Sequence, residues 1–210
     1  MEKNQSDINW ESYFWDNSDV LKNKLFIHDK NKLKEKEIEL SFYRQVELME
    51  QPIVGKFDTE HLKNIHYYLF QDIYEFAGKF RNVDIEKNAC TFVHWQEIPE
   101  KLQMELELME KDLRNINSIY DFAEHLSKYF SEIIYIHPFR EVNGRSTREF
   151  IREYACEKSK LFPFGPLDFL WSKVDVETIN HTIHFSMVFR SAITLEFLKA
   201  LVPLEQERKR

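Results

Sequence analysis

The stretch HPFREVNGRSTREF, residues 137–150, gathers residue types that carry out phosphate chemistry. It opens with His137, and through Glu153 it supplies four arginines and three glutamates. Histidine titrates near neutrality and can accept a proton, a carboxylate can hold a cation, and arginines bind phosphate oxygens. The stretch also contains one of the four glycines of the chain. At ~7% average usage about fifteen would be expected, so this glycine indicates a backbone requirement.

The shape of this stretch is predicted from its proline and its amide residue. Pro138 ends the preceding helix and moves His137 out of the helical region. A tight loop then leads to a helix that begins near Gly144, with Asn143 as a favoured N-cap type. The free N–H groups of residues 144–147 would face one point at the positive end of the helix dipole. The sequence therefore predicts an anion site of the phosphate-binding type.

Charged side chains surround this predicted anion site. Arg145 and Arg148 are three residues apart on one helix face, and both can reach an anion there. His137 lies across the loop and Glu141 lies within it, which completes the set of groups that phosphoryl or nucleotidyl transfer requires. The alternative is structural: the arginines pair with neighbouring glutamates at the surface, and the histidine only ends a helix. Phe139 is a core anchor under either interpretation.

The elements that must position these residues are mainly helical, because apolar residues recur at helical spacing. The helix at 118–136 has Ser118 and Asp121 in capping-box spacing. Its predicted apolar face comprises Phe122, Leu126, Tyr129, Phe130, Ile133 and Ile134. Further helices are predicted at 32–50, 59–78, 99–116, 145–158 and about 175–201.

Three of these helices carry more detailed expectations. The helix at 59–78 is expected to start behind Asp58 and to end at Gly78. The helix at 99–116 opens with Pro99 in its first turn. For the helix at 32–50 the predicted buried side comprises Leu33, Ile38, Phe42, Val46 and Met49.

Residues 79–95, KFRNVDIEKNACTFVHW, break the helical pattern. Their β-branched and aromatic residues flank a central Glu86-Lys87-Asn88-Ala89, which predicts a short β-hairpin. One interpretation is a surface excursion that covers the core. The other is a sheet edge that holds an extended peptide by main-chain hydrogen bonds.

Composition limits the class of protein. A length of 210 residues with 43% hydrophobic residues predicts one globular domain. The net charge of −7, spread along the chain, argues against a nucleic-acid partner. Cys90 and Cys156 have no CxxC spacing and indicate reduced cysteines. No signal-peptide pattern and no apolar run of the ~18 residues needed for a membrane span are found, so we expect a cytoplasmic protein without a membrane partner.

The order of residues in HPFREVNGRSTR resembles the signature of the Fic (filamentation induced by cAMP) family, HPFx[D/E]GN[G/K]RxxR. The matching residues are His137, Pro138, Phe139, Glu141, Asn143, Gly144, Arg145 and Arg148, while Val142 stands where the family has glycine. The segments VLKNKL (20–25) and FAGKFRNVDIEKNACTFV (76–93) extend the resemblance over most of the chain. It implies an all-α fold, a Fic-type helical bundle with a short β-hairpin flap. The chain would be a single Fic-type domain with an N-terminal helical part (1–57), a Fic core (58–160) and C-terminal helices (161–210).

The resemblance also implies a reaction, because most enzymes of this family transfer AMP from ATP to a protein hydroxyl. His137 would be the general base on a Ser, Thr or Tyr hydroxyl of the target protein, and Glu141 would hold Mg²⁺. The ATP-binding residues would be Val142, Asn143, Gly144, Arg145 and Arg148. Asn143 and the amides around Gly144 would form an anion hole, and the two arginines would hold the phosphate tail. Glycine rather than lysine at position 144 favours the AMP-transferring branch over the phosphate-transferring one.

The hairpin would be the flap that aligns the target's backbone. The implied docking residues are Lys79, Phe80, Arg81, Val83, Ile85, Lys87 and Phe92. Many family members are restrained by a helix with the pattern [S/T]xxxE[G/N], whose glutamate pairs with the second motif arginine. The nearest match here is Ser12 with Asp16-Asn17, which we interpret as chance. A small antitoxin chain would then supply the inhibitory helix in trans.

Val142 bears on both the backbone of the loop and the efficiency of transfer. If the loop requires a positive φ at this position, valine is strained by roughly 1–3 kcal/mol and the anion hole is misaligned. The phosphate-transferring branch carries alanine at this position, so we expect a negative φ, a normally formed loop and retained ATP binding. Transfer would be slowed by the two γ-methyl groups near the α-phosphate. The alternative is a degenerate member that binds nucleotide or a partner without efficient transfer.

Overall fold

The chain folds mainly into α-helices. The computed structural model describes residues 5–87, 90–175, 177 and 190–204. The helices of this part of the chain are α1 (Gln5–Ser12), α2 (Lys30–Glu50), α3 (Thr59–Phe70), α4 (Ile98–Asp112), α5 (Ile119–Ile136), α6 (Asn143–Lys158) and α7 (Arg190–Ala200). A mainly helical fold is thus confirmed.

Helix α5 lies at the centre of the bundle and contacts α4, α6 and α7. Ser118 accepts a hydrogen bond from the N–H of Asp121, whose carboxylate accepts one from the N–H of Ser118, so the predicted capping box is present. All six residues of its predicted apolar face are buried. A capped helix with a continuous apolar face is a rigid support for the loop that follows it.

Helix α3 is shorter than predicted. It starts behind Asp58 as expected, but it ends at Phe70 and not at Gly78. After Phe70 the chain turns, because the N–H groups of Ile73 and Tyr74 both donate to the Phe70 carbonyl. Gly78 lies in the turns beyond with a φ of +74°, a left-handed conformation that favours glycine.

Helix α2 buries a different side from the one predicted. Leu33 is buried, but the other four predicted residues, Ile38, Phe42, Val46 and Met49, are exposed. The buried side instead comprises Leu33, Glu37, Ser41 and Leu48. The physical reason is that α2 receives the guanidinium of Arg145 between Glu37 and Ser41, and this polar contact sets the rotation of the helix.

The remaining elements are small. The predicted hairpin is confirmed as two antiparallel strands, β1 (Glu86–Lys87) and β2 (Cys90–Thr91). A second antiparallel pair, β3 (Leu167–Phe169) and β4 (Leu201–Pro203), follows α6 and α7 and was not expected from the sequence. Helix α4 has Pro99 in its first turn and ends at Asp112, where a short 3₁₀ turn replaces the predicted last residues. The predicted helix at about 175–201 lies largely outside the described residues, and its described end is α7.

Among the described residues, no helix has both the length and the apolar composition that a membrane crossing requires.

Buried His125 gives the bundle a pH dependence that can be measured. Its imidazole lies on α5, hydrogen-bonded to the hydroxyl of Tyr154, and burial lowers its pKa to about 4. The unfolded chain therefore takes up a proton near pH 6.5, while the folded chain resists protonation down to about pH 4. The stability contributed by neutral His125 is complete above pH 6.5 and is lost as the pH falls toward 4.

We expect the unfolding free energy of the wild type to fall by about 2 kcal/mol between pH 7.5 and pH 5 through His125 alone. His125→Phe removes this titration, so its unfolding free energy should depend less on pH by that amount. Urea unfolding of both proteins at the two pH values measures the difference. An equal pH dependence in the two proteins would contradict the assignment.

Candidate functional site

The loop between α5 and α6, residues 137–142, is hereafter the catalytic loop. His137 ends α5 in the left-handed conformation, with a φ of 51°. The loop then runs beside the start of the flap, because the N–H of Arg81 donates to the Pro138 carbonyl at 2.9 Å and Phe80 forms a β-bridge with Phe139. Phe139 is buried as expected, and its ring stacks on His66 at 3.8 Å.

Asn143 closes the catalytic loop by its side chain. The amide oxygen accepts the N–H of Phe139 at 2.8 Å, and the amide nitrogen donates to the Phe139 carbonyl at 2.9 Å. Asn143 is the first residue of α6 and not its N-cap, so the capping prediction is wrong. Its side chain is committed to the loop, and only its backbone N–H remains for an anion.

Val142 is the N-cap of α6 and has a left-handed backbone, with φ 57° and ψ 22°. The expectation of a negative φ is therefore wrong. The reason is geometric: the chain must reverse between the buried Phe139 and the start of α6, and the Asn143 hydrogen bonds fix both ends of that reversal. A β-branched residue in this conformation is strained by roughly 1–3 kcal/mol. The loop is nevertheless formed.

The N-terminus of α6 is sterically open beside Gly144. Apart from its neighbours in the chain and the backbone of the helix, no heavy atom of the described residues would lie within 4 Å of a Cβ built there, while the N–H groups of Arg145 and Ser146 donate to the Val142 carbonyl at 3.2 and 3.4 Å. The first N–H groups of a helix have no acceptor within the helix, and the helix dipole makes this end positive. The predicted anion site is therefore sterically open at Gly144.

The two motif arginines differ in their surroundings. Arg145 turns toward α2, where its guanidinium pairs with the Glu37 carboxylate and donates to Ser41 Oγ at 2.8 Å. The hydroxyl of Tyr74 donates to the other carboxylate oxygen of Glu37 at 2.6 Å. Arg145 is thus held in one position by α2, and only part of its donor capacity is left for a ligand.

Arg148 is partly buried and has no such partner. Its guanidinium makes no hydrogen bond or ion pair with any residue that the structure describes. Burial and the neighbouring charge of Arg145 lower its pKa. A cation in this position is stabilised by an anion, so of the two arginines Arg148 has the greater capacity to bind a ligand.

The contacts of His137 indicate one neutral tautomer of its ring. Its Nδ1 is 3.3 Å from the carbonyl oxygen of Ile134, and a carbonyl only accepts, so Nδ1 carries the proton. In the neutral ring Nε2 then has the lone pair. The ring stacks on Phe92 at 3.9 Å, which links the histidine to the flap.

His66 also supports the catalytic loop, and sequence reasoning missed it. Its Nδ1 accepts the N–H of Gly78 at 2.8 Å, and its Nε2 lies 3.3 Å from the carbonyl of Glu141. Both bonds fit one neutral tautomer, and burial lowers the pKa of the ring to about 3. The available signal was its place on the buried face of α3, between Ile65 and Leu69, where a polar residue needs partners.

Glu141 is the predicted magnesium ligand. Its side chain is 46% exposed and lies 3.5 Å from the guanidinium of Arg140. Among the described residues, no group of three or more His, Cys, Asp or Glu could hold a metal ion. A single accessible carboxylate still fits Mg²⁺, which proteins hold by one or two carboxylates together with substrate phosphates and water.

A cavity of about 560 Å³ opens between the catalytic loop and α2. Glu141, Arg140 and Arg145 line its loop side, and Glu37 and Lys34 line its α2 side. Its volume lies in the range of small-molecule pockets.

The flap side chains named from the sequence divide into two groups. Lys79 is exposed and Phe80 is partly buried. Arg81, Val83, Ile85 and Phe92 are buried, and the side chain of Lys87 lies outside the description. Docking of a target on the flap therefore depends on its backbone and on its outer side chains, and it stays a prediction.

Arg81 also links the flap to the end of α5. Its guanidinium donates to the carbonyls of Val83, Val93, Ile136 and His137, so it joins both ends of the flap to the end of α5. Burial lowers its pKa to about 10.

The weak inhibitory pattern at Ser12 has no helical basis. Helix α1 ends at Ser12, and Asn17 has a φ of 55°, so Ser12 and Asp16-Asn17 do not share a helix.

The strain at Val142 gives a testable stability change. Val142→Gly removes the left-handed strain, and glycine returns part of the gain because it is more flexible in the unfolded chain. We expect the unfolding free energy to rise by about 1 kcal/mol in urea. Val54→Gly is the matched control, since Val54 is exposed and has no positive φ, and it should bring no gain. A Val142→Gly protein no more stable than the wild type would show that the loop is not strained.

Comparison with known proteins gives a consistent result. Residues 56–155 match the family model described as the Fic/DOC family. The chain is 41% identical over 140 residues to "Protein adenylyltransferase VbhT" from Bartonella schoenbuchensis, a match that covers 66% of this chain and 29% of that protein. It is 30% identical over 169 residues to "Probable protein adenylyltransferase Fic" from Salmonella typhimurium, covering 80% of each. The chain thus spans well under half of VbhT but most of the Salmonella protein.

Solved structures show the same fold. The N-terminal Fic domain of a Bartonella quintana VirB-translocated Bep effector protein, with bound ADP, superimposes with a TM-score of 0.81 at 22% identity, covering 93% of this chain and 96% of that one. The BepC protein of Bartonella tribocorum, with bound AMPPNP, has a TM-score of 0.79 at 21% identity, covering 93% and 98%. The fold, the signature at residues 137–148 and the identity to the Salmonella relative agree: the chain belongs to the Fic/DOC family.

Proposed function

We propose that this protein is an adenylyltransferase that transfers AMP from ATP to a hydroxyl side chain of a target protein. One observation carries the proposal: Arg148 has no partner among the described residues and lies on the first turns of α6, whose N-terminus is sterically open at Gly144. Such an arrangement has the charge and the donors that a polyphosphate needs. The relatives named adenylyltransferases, and the related domains with bound ADP and AMPPNP, support ATP as the substrate.

The proposed reaction follows from the orientation of His137. Nε2 takes the proton of the target hydroxyl while the hydroxyl oxygen attacks the α-phosphorus. A new oxygen–phosphorus bond forms, the bond to the bridging oxygen breaks, and pyrophosphate leaves. The backbone amides of Asn143 and Gly144 stabilise the charge on the α-phosphate oxygens, and Arg148 holds the phosphate tail. Arg145, held by Glu37, contributes its positive charge at the base of the site.

Mg²⁺ would be held by Glu141 together with the phosphates, and when bound it neutralises the charge of the phosphate oxygens. The flap would align the target as a strand added at the edge of the β1–β2 pair. Since ATP is the substrate, we place the reaction in the cytoplasm.

A second candidate rests on Val142. The strained valine at the N-cap favours a protein that binds nucleotide or a partner but transfers slowly, because the strain and the γ-methyl groups are located beside the amides of the anion site. For either candidate, a small antitoxin chain would inhibit AMP transfer. A carboxylate from a small antitoxin chain could pair with Arg148, and no residue of the described chain competes for it.

An assay of AMP transfer tests the role of His137 as general base, and it distinguishes the efficient enzyme from the degenerate one. Wild type, His137→Ala and Val142→Gly are incubated with labelled ATP and Mg²⁺ in a cell lysate, and labelled protein is counted. His137→Ala should lose label transfer by a factor of about 10² or more, since a general base contributes that much, while ATP binding stays nearly intact. His28→Ala, at an exposed histidine away from the catalytic loop, is the control. Transfer by His137→Ala at the wild-type rate would sink the assignment.

In the same assay Val142→Gly distinguishes an efficient enzyme from a degenerate one. A variant that transfers faster than the wild type supports the degenerate candidate. A variant no faster than an active wild type removes its main support.

Arg148 is tested by nucleotide binding. We expect calorimetry with Mg²⁺-ATP to show a dissociation constant weakened about tenfold or more in Arg148→Ala, because a charge-assisted contact contributes roughly 1.5–3 kcal/mol. Arg114→Ala, at an exposed arginine of the turn after α4, is the matched control and should bind as the wild type does. Equal affinity in both variants would show that Arg148 does not hold the phosphate tail.

A further inference from the structure

Arg140, the variable residue of the motif, is enclosed by aromatic rings from the start of the chain. Its side chain is 7% exposed, and its guanidinium lies over the rings of Trp10 at 4.4 Å, Phe14 at 5.2 Å and Tyr13 at 5.3 Å. Its Nε is buried without a hydrogen-bond partner. The aromatic faces, together with one ion pair of 3.5 Å to Glu141, therefore stabilise this buried charge.

The same segment also holds the flap. The hydroxyl of Tyr13 donates to Asn82 Oδ1 at 2.8 Å, and the side chain of Asn9 donates to the Asn82 carbonyl at 3.4 Å. Asn82 follows Arg81, whose guanidinium joins the flap to His137. The ring of Tyr13 packs against the small flap core of Val83, Ile85 and Phe92.

Residues 9–14 thus contact two parts of the site that have different tasks. Trp10, Tyr13 and Phe14 hold the catalytic loop through Arg140, and Asn9 and Tyr13 hold the flap through Asn82. Trp10 is 40% exposed, and its ring contacts both Arg140 at 4.4 Å and the ring of Phe14 at 5.7 Å.

The contacts of this segment affect the distance between the target hydroxyl and the α-phosphate. Attack on the α-phosphate requires the target oxygen, held by the flap, to meet the phosphorus, held by the catalytic loop. An error of about 1 Å between the two can lower the rate a hundredfold. A single segment attached to both parts sets their separation.

We propose that residues 9–14 form an aromatic clamp that positions the catalytic loop against the flap, with Trp10 and Tyr13 as positioning residues for transfer to a flap-bound target. This rests on the proposed function. Among the described residues the clamp reaches the site through Arg140 and its partner Glu141 and not through Arg148, so loss of the clamp should lower transfer more than it weakens ATP binding.

The test compares Trp10→Ala with Trp10→Phe, because phenylalanine keeps an aromatic face for Arg140. Trp10→Ala should lower label transfer about tenfold while the Mg²⁺-ATP dissociation constant changes less than about twofold. Trp10→Phe should restore most of the rate. Trp15→Phe is the control, since Trp15 stacks on Phe26 and His28 and its indole donates to Ile27.

Hydrogen exchange gives a readout that does not require activity. In Trp10→Ala the amides of residues 80–87 and 137–142 should both exchange faster than in the wild type, and in Trp10→Phe and Trp15→Phe they should not. If the wild type transfers no label, the proposed function fails and exchange alone decides on the clamp. Unchanged exchange in both segments, or transfer by Trp10→Ala at the rate of an active wild type, would overturn the inference.

Discussion

The rest of the site depends on one contact. The side chain of Asn143 is hydrogen-bonded to both the backbone N–H and the backbone carbonyl of Phe139. The catalytic loop contains two residues with left-handed backbones, His137 and Val142, and this conformation is uncommon for histidine and strained for valine. A short segment keeps such a shape only when bonds at both ends determine it. The amide does this from the first residue of α6, so the loop and the helix N-terminus have one fixed geometry.

Buried charges connect this loop to the elements around it. Arg81 joins the flap to the end of α5, Arg145 joins α6 to Glu37 of α2, and Arg140 joins the loop to the rings of the N-terminal segment. A buried ion pair adds little net stability over an apolar contact, but removal of one partner is costly. Such contacts therefore specify position more than they add to stability, which is what a site that aligns two substrates needs.

The two motif arginines have different partners although they lie on the same helix. They are three residues apart on the same helix, yet α2 supplies a carboxylate to Arg145 and none of the described residues supplies one to Arg148. The difference comes from the rotation of α2, whose buried face carries Glu37 and Ser41 in place of apolar residues. It pairs one arginine with α2, and the other is the arginine that we propose for the phosphate ligand.

Local signals in the sequence determined the helical fold, the capping box at Ser118, the hairpin and the family signature, because each depends on residues that are close together in the chain. The end of α3, the buried side of α2, the left-handed backbone of Val142 and the partners of Arg145 were decided only by the tertiary structure. The end of α3, the buried side of α2 and the partners of Arg145 depend on contacts between residues far apart in sequence, such as Lys24 with Ile73, or Glu37 with Arg145. Val142 differs from these three features: the hydrogen bonds between Asn143 and Phe139, only four residues apart, close the folded loop and impose a positive φ that valine by itself strongly disfavours.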